Sequence, residues 1–197
     1  MPAMDDRHRA LLFTEARTHR AFLDEPVADE LLRELYGLLR MPPTAMNAQP
    51  ARFVFVKSEV AKERLKPALA PGNVDKMMGA AATAIVAYDT EFFEKMPFLV
   101  PHSAGLGAEL ARLPDEPRHR MGYLSAALQG AYCVLAARGL GLDCGPMAGF
   151  DNAIVDAAFF PDGKWRSIFL LNLGRGDPAA LKPRQPRLPF DEACRIE

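Results

Sequence analysis

The stretch from 123 to 138 constrains the fold more than any other. It reads Tyr-Leu-Ser-Ala-Ala-Leu-Gln-Gly-Ala-Tyr-Cys-Val-Leu-Ala-Ala-Arg, with its only charge at the last position, and Gly139 and Gly141 follow to end it. A helix that is apolar nearly all round belongs in the middle of a core or in a subunit interface. Residues 82–88 and 167–173 read as buried strands, and 52–57 as a further strand. An amphipathic helix is predicted over 27–40, with Leu31, Leu32, Leu35, Leu38 and Leu39 on one side and Pro26 just before its start.

Shorter helices are expected over 4–16, 59–69 and 151–159, the last with Asp151 as N-cap. Pro71-Gly72-Asn73 reads as a turn, with one further helical turn over 76–79. Residues 89–120 have weak periodicity and several prolines, and predict short helices and a mobile flap. The basic, proline-rich 178–189 is too irregular for a packed core and reads as an arm across another surface, a feature common in dimers. The organisation expected is one domain, 1–197, with 178–197 as a C-terminal arm.

Several function classes are disfavoured. With 24 Lys and Arg against 25 Asp and Glu, there is no basic excess to grip nucleic acid. The first ten residues carry Asp5, Asp6, Arg7 and Arg9 instead of an apolar leader core, and every apolar run falls short of the ~20 residues of a membrane span. Cys133, Cys144 and Cys194 are far apart and form no Cys-x-x-Cys pair, so they read as reduced thiols, most of them packing residues. A cytoplasmic location without membrane or nucleic-acid partners is the expectation. Gly139-Leu140-Gly141 follows a helix and Gly105-Leu106-Gly107 lacks a preceding strand, so neither is a dinucleotide turn. No phosphate-loop Gly-Lys-Ser/Thr and no Gly-x-Ser-x-Gly elbow is present. His8, His19, His102 and His119 lack ligand spacing and read as surface or capping residues, so no metal is expected.

Five segments carry candidate chemistry. In Met41–Pro50, Pro42-Pro43 stops a helix, small residues let a flat ligand approach the backbone, and Asn47 and Gln49 offer groups that read a heteroaromatic edge. In Arg17-Thr18-His19-Arg20, two guanidinium forks flank a hydroxyl, a set suited to phosphate oxygens. Asn73 and Lys76 follow a glycine turn, Gly145-Pro146-Met147-Ala148-Gly149-Phe150-Asp151 is smooth and apolar, and Arg187 precedes Leu188-Pro189. Singly, each is equally a polar connection, a solvated helix end or a cap.

Together, and in the order in which they follow one another along the chain, they resemble the FMN-dependent nitroreductase family. The loop resembles its Pro-Ser-Ala-x-Asn-x-Gln-Pro-Trp-x-Phe segment, and the basic cluster its Arg-Ser-x-Arg-x-Phe opening, with Thr18 keeping the hydroxyl. The resemblance implies an α+β nitroreductase-like fold, a central, mainly antiparallel sheet wrapped by helices, in an intertwined homodimer with FMN at the interface. It assigns Arg17, Thr18, Arg20 and Arg187 to the phosphate and ribityl end, and Asn73 and Lys76 to the pyrimidine edge. Pro146, Met147, Ala148 and Gly149 would lie against one flavin face, with the backbone amides after Pro146 reaching O4 and N5. Pro43, Thr44 and Ala45 would act from the partner subunit, and Asn47 and Gln49 also fall on flavin-contact positions. NADH or NADPH is the implied donor; flavin N5 carries the chemistry, and no catalytic side chain is named. The chain departs from the family at Ala51, where most members have Trp, at Ala148, where several have Glu, and at Gln185, where many have a base.

The strings 49–52, 63–69, 83–89 and 190–194 resemble one branch, the malonic semialdehyde reductases of Rut-type pyrimidine degradation. That branch implies reduction of malonic semialdehyde to 3-hydroxypropionate, with Arg52, Arg112 or Arg118 as candidate partners of the substrate carboxylate. The alternatives are a general NAD(P)H nitroreductase or quinone reductase, and a flavin-binding protein without turnover.

Overall fold

The three expected strands form, and a fourth joins them. The structure, a computed structural model, describes residues 3–103 and 105–197. The strands are β1 (Ala51–Val56), β2 (Ala82–Asp89), β3 (Asp143–Met147) and β4 (Trp165–Gly174), in the spatial order β1-β2-β4-β3 with every neighbouring pair antiparallel. Sequence reading missed β3 as a strand because Asp-Cys-Gly-Pro-Met lacks β-formers; Pro146 is tolerated because β3 is an edge strand.

The helices are α1 (Asp6–Arg9), α2 (Asp29–Leu39), α3 (Glu59–Leu65), α4 (Pro71–Met78), α5 (Met96–Leu99), α6 (Leu106–Ala111), α7 (Asp115–Gly139), α8 (Asn152–Phe159) and α9 (Phe190–Ala193). Among the described residues, none of them is long and apolar enough to cross a membrane. The segment expected to be one helix over 4–16 is α1 followed by a wider turn, Ala10–Thr14, in which Glu15 N–H bonds Ala10 O at 2.9 Å, a π-type i→i+5 bond. The expected turn at 71–73 is instead the first turn of α4, because Pro71 sits where its missing N–H costs nothing. Asn73 and Lys76 therefore stand one turn apart on a single helix. Asp151 caps α8 as expected, accepting from Ala153 N–H at 2.8 Å and Ile154 N–H at 3.2 Å.

The sheet is covered on both faces. Ala84 and Leu171 belong to one core with Leu35 and Leu39 of α2 and Cys133 and Ala137 of α7. Their chain neighbours Ile85 and Leu170 point the other way, onto Leu65, Met77 and Val155 of α3, α4 and α8. This two-sided burial is why β2 and β4 read as near-continuous apolar runs. The long helix α7 lies flush on the sheet: a β-carbon at Gly130 would fall 2.6 Å from the Phe169 ring. Its opposite face leaves Tyr123, Leu124, Leu128 and Tyr132 exposed. Phe92, Met96, Val100 and Leu110 build a small core of their own, buried beside Ala48.

Candidate cofactor site on the edge strand

The outer side of β3 is occupied by the N-terminal segment. Thr18 forms a parallel bridge to Cys144, and His19 N–H bonds Cys144 O at 2.9 Å. Only glycine fits at 145, because a β-carbon there would lie 2.5 Å from His19 O. The segment continues along the sheet through Leu23 N–H to Arg175 O at 2.8 Å and Asp177 N–H to Ala21 O at 3.0 Å. His19 corrects the expectation of a surface histidine. It is buried over Gly176, with Nε2 3.3 Å from Asp143 Oδ1, and Asp143 Oδ2 accepts Gly176 N–H at 2.8 Å. Room for the ring exists because residue 176 has no side chain, a fact no local pattern around His19 reveals.

The C-terminal arm closes over this segment. Arg17 Nη2 donates to Lys182 O, and Arg184 Nη2 donates to Thr14 O at 2.8 Å and Ala16 O at 3.0 Å. Between arm and segment lies a cleft of about 580 Å³ that brings together Arg17, Thr18, Arg20 and Arg187. Arg138, Lys182 and Arg184 line it as well, and no carboxylate does among the described residues. Arg138 and Lys182 were missed in the sequence; the signal available for Arg138 was its place as the one charge closing an apolar helix. Arg138 Nη1 also bonds Leu12 O at 2.9 Å.

A second cavity of about 230 Å³ shares Thr18 and Arg20 with the first and continues to Asn73, Lys76, Pro146, Met147, Ala148 and Asn172. Its walls are tied together from both sides of β3. Gly149 O accepts Ala70 N–H at 3.0 Å and Asn73 Nδ2–H at 2.9 Å, and Asp151 N–H bonds Ala68 O at 2.7 Å. Lys76 Nζ donates to Asn73 Oδ1 at 2.8 Å, while Asn172 Nδ2 donates to Lys76 O at 3.0 Å and its Oδ1 accepts from Thr83 at 2.7 Å. The N–H groups of Ala148 and Gly149 donate to no protein group among the described residues, and both residues are exposed.

The loop residues Pro43, Thr44, Ala45, Asn47 and Gln49 line neither cavity among the described residues. Their loop is fastened to α7, where Ala45 N–H meets Ser125 Oγ at 3.3 Å and Ala51 N–H meets Gln129 Oε1 at 3.2 Å. These bonds account for the two buried polar residues in the apolar 123–138 stretch of α7. Met46, Asn47 and Gln49 all have positive φ, at 52°, 55° and 41°, a strained concentration outside glycine. Asn47 spends its amide on Leu99 O at 3.0 Å and Gln49 Nε2 at 3.1 Å.

Of the three arginines considered for a substrate carboxylate, two are committed. Arg52 bonds Asp89 at 2.6 Å and the carbonyls of Gln49 and Ala51, and Arg118 bonds Asp115 and the carbonyls of Ala111 and Leu113. Arg112 is exposed and makes no ion pair among the described residues. Burial pushes the Cys144 thiol up to about 12, with Arg138 opposing, so Cys144 is a packing residue beside the site and not a nucleophile.

A cationic cleft without carboxylates suits a phosphate, and free backbone amides beside an ammonium suit the acceptor edge of a heterocycle. The donor set therefore fits the flavin mononucleotide that the sequence resemblance implies. Together, fold and site define an α+β protein with a cationic cleft and exposed backbone amides along one sheet edge. The chain belongs to the nitroreductase family, whose profile matches residues 14–175. It is 51% identical over its full length to a protein of Ralstonia nicotianae, itself covered completely, and 54% identical to one of Stenotrophomonas maltophilia, with 98% of each chain covered. Both are named as candidate NADH dehydrogenase/NAD(P)H nitroreductases. Among solved structures, a nitroreductase-type protein of Exiguobacterium sibiricum in complex with FMN superposes with a TM-score of 0.86 at 18% identity, covering 100% of this chain and 99% of that one. A Bacillus subtilis nitroreductase-type structure gives 0.83 at 22% identity, covering 94% and 97%. The fold is thus the α+β nitroreductase fold, and the protein is an NAD(P)H-dependent oxidoreductase.

Proposed function

We propose that this chain is an FMN-dependent NAD(P)H reductase of general type, acting on nitroaromatic or quinone acceptors. The observation that carries this reading is that two cavities share Thr18 and Arg20, one lined by a carboxylate-free cluster of arginines and the other by Lys76 and by Ala148, whose N–H is free among the described residues. Arg17, Thr18, Arg20 and Arg187 hold the phosphate and ribityl end, with Arg138 adding positive charge. Lys76 lies at the pyrimidine edge, and Pro146 and Met147 support one face of the ring. Bound FMN supplies a two-electron carrier that takes hydride from a nicotinamide and passes it to an acceptor, which is why no dinucleotide fold is needed. The chain's own residues orient the ring, neutralise its phosphate and offer N–H donors to its edge. With FMN bound, donor and acceptor would use one site in turn, giving ping-pong kinetics.

The working unit in this reading is a homodimer. The ring cavity of one chain, about 230 Å³, falls below the ~300 Å³ of even a small enclosed ligand site. Pro43, Thr44 and Ala45, which do not line that cavity among the described residues of one chain, complete it from the partner. The exposed stripe Leu124, Leu128 and Tyr132 on α7 supplies an apolar surface for the interface.

A finer reading, reduction of malonic semialdehyde to 3-hydroxypropionate, is supported by the branch-like strings of the sequence. The commitment of Arg52 and Arg118 to internal partners leaves Arg112 as the arginine for its carboxylate, so the general reductase is the main conclusion. The test is a spectrum of the purified protein, followed by anaerobic NADH or NADPH and then by an acceptor. Bleaching and recovery with menadione or a nitrofuran establishes the general reductase. Recovery at far lower concentrations of malonic semialdehyde would move the assignment to the branch. A protein that binds no flavin sinks both.

A further inference from the structure

We propose that Arg52 is a positioning residue for the flavin site of the partner subunit, acting through the loop 43–49. The inference rests on the FMN and homodimer readings above and adds to them the side chain that sets the loop. Arg52 Nη1 donates to Gln49 O at 3.0 Å and Ala51 O at 2.9 Å, and Nη2 donates to Asp89 Oδ2 at 2.6 Å. Asp89 is fixed in turn: its Oδ1 accepts Glu91 N–H at 2.9 Å, and its own N–H bonds Pro50 O at 2.9 Å. The guanidinium also lies 5.9 Å from the centre of the Trp165 ring, within reach of its face. One fork thus joins the end of β2 to the carbonyls on either side of Pro50.

What the fork holds is a strained place. Gln49 has a φ of 41°, and Met46 and Asn47 before it are positive as well. Such backbone persists outside glycine only where the surroundings over-determine it. The hold on Gln49 passes on to the loop, because Gln49 N–H bonds Thr44 Oγ1 at 3.1 Å. The loop has separate fastenings: Ala45 N–H on Ser125, Ala51 N–H on Gln129, and Ala48 buried with Phe92 and Met96. Loss of the fork should therefore let 46–49 relax, and Thr44 with it, while the loop stays attached to α7. Lysine cannot stand in, because an ammonium lacks the planar fork that reaches a carboxylate and two carbonyls at once.

The experiment measures FMN affinity by fluorescence titration in homodimers and in one hybrid dimer assembled from two differently tagged chains. The Arg52→Lys homodimer should bind FMN on the order of tenfold more weakly, the size of one charge-assisted hydrogen bond. Wild-type affinity there would overturn the proposal. Arg52→Met combined with Asp89→Asn removes both charges together and leaves no carboxylate unpaired, so it provides a second folded variant with the same expected loss. The hybrid pairs an Arg52→Lys chain with an Arg17→Ala chain. If Arg52 acts across the dimer, the Arg52→Lys chain keeps its own Arg17 and receives an intact loop, so one site per dimer binds FMN as the wild type does. If Arg52 serves only its own chain or stability in general, both sites are weakened, and the proposal is rejected. A wild-type protein that binds no FMN rejects the cofactor reading, and one that binds FMN tightly as a monomer rejects the dimer reading. Titration and sedimentation of the wild type separate both cases from a failure of Arg52 itself.

Discussion

The carbonyl oxygen of His19 lies 2.5 Å from the point where a β-carbon on Gly145 would stand. This contact joins the arginine-bearing N-terminal segment to the strand that carries Pro146 to Gly149. Gly145→Ala would force the two apart, an overpacking that costs about 1–3 kcal/mol. We expect a melting temperature lower by several degrees and weaker FMN binding in the same variant. Calorimetry and a flavin titration check both; a variant with unchanged stability would show that the segment is not seated as described.

Arg17 is shared between the arm carbonyl of Lys182 and the cationic cleft. Arg17→Ala should weaken FMN binding by roughly tenfold or more, the loss of a charge-assisted phosphate contact. Quenching of flavin fluorescence on titration measures it. Full flavin occupancy of the purified variant would remove Arg17 from the phosphate site.

Burial pushes the thiols of Cys133 and Cys144 far above their ordinary range, whereas Cys194 is exposed on the arm. One thiol per chain should react with a disulfide reagent in the native protein at neutral pH, and three after denaturation. Cys194→Ser should abolish the native reaction without affecting flavin binding.

His119 sits 3.3 Å from the Tyr88 hydroxyl, and its proton affinity is held down by burial first and by Arg166 and Arg118 next. A base depressed in the folded state binds fewer protons than in the unfolded chain. Its contribution is therefore absent above the ordinary value of 6.5, and it becomes destabilising as pH falls below that value. The urea midpoint of His119→Gln should fall less than that of wild type between pH 7 and pH 5. Parallel curves would show that the histidine is already free to protonate in the fold.

Much of the frame was legible in the chain itself. The amphipathic leucines of 27–40 predict α2, and the buried strands at 82–88 and 167–173 are visible because two-sided burial makes a run uniformly apolar. The arginine pair around Thr18 stands out because guanidinium forks have few better partners than phosphate. Less legible were features whose cause lies elsewhere in the chain. β3 carries no β-forming pattern and exists because β4 pairs with it and residues 18–19 cover its edge. His19 looks like a surface residue until Gly176, far away in sequence, leaves room for its ring.

The sequence by itself determined which residue types were available for a phosphate, a ring edge and a core, because periodicity and side-chain chemistry are local properties. Only the tertiary structure decided that Arg17, Arg138 and Arg187 share one cleft, that Arg52 and Arg118 are already engaged, and that Asn73 hydrogen-bonds Lys76 and Gly149. The reason is physical: a hydrogen-bonding group has a small number of partners, and which groups reach it first is set by long-range packing.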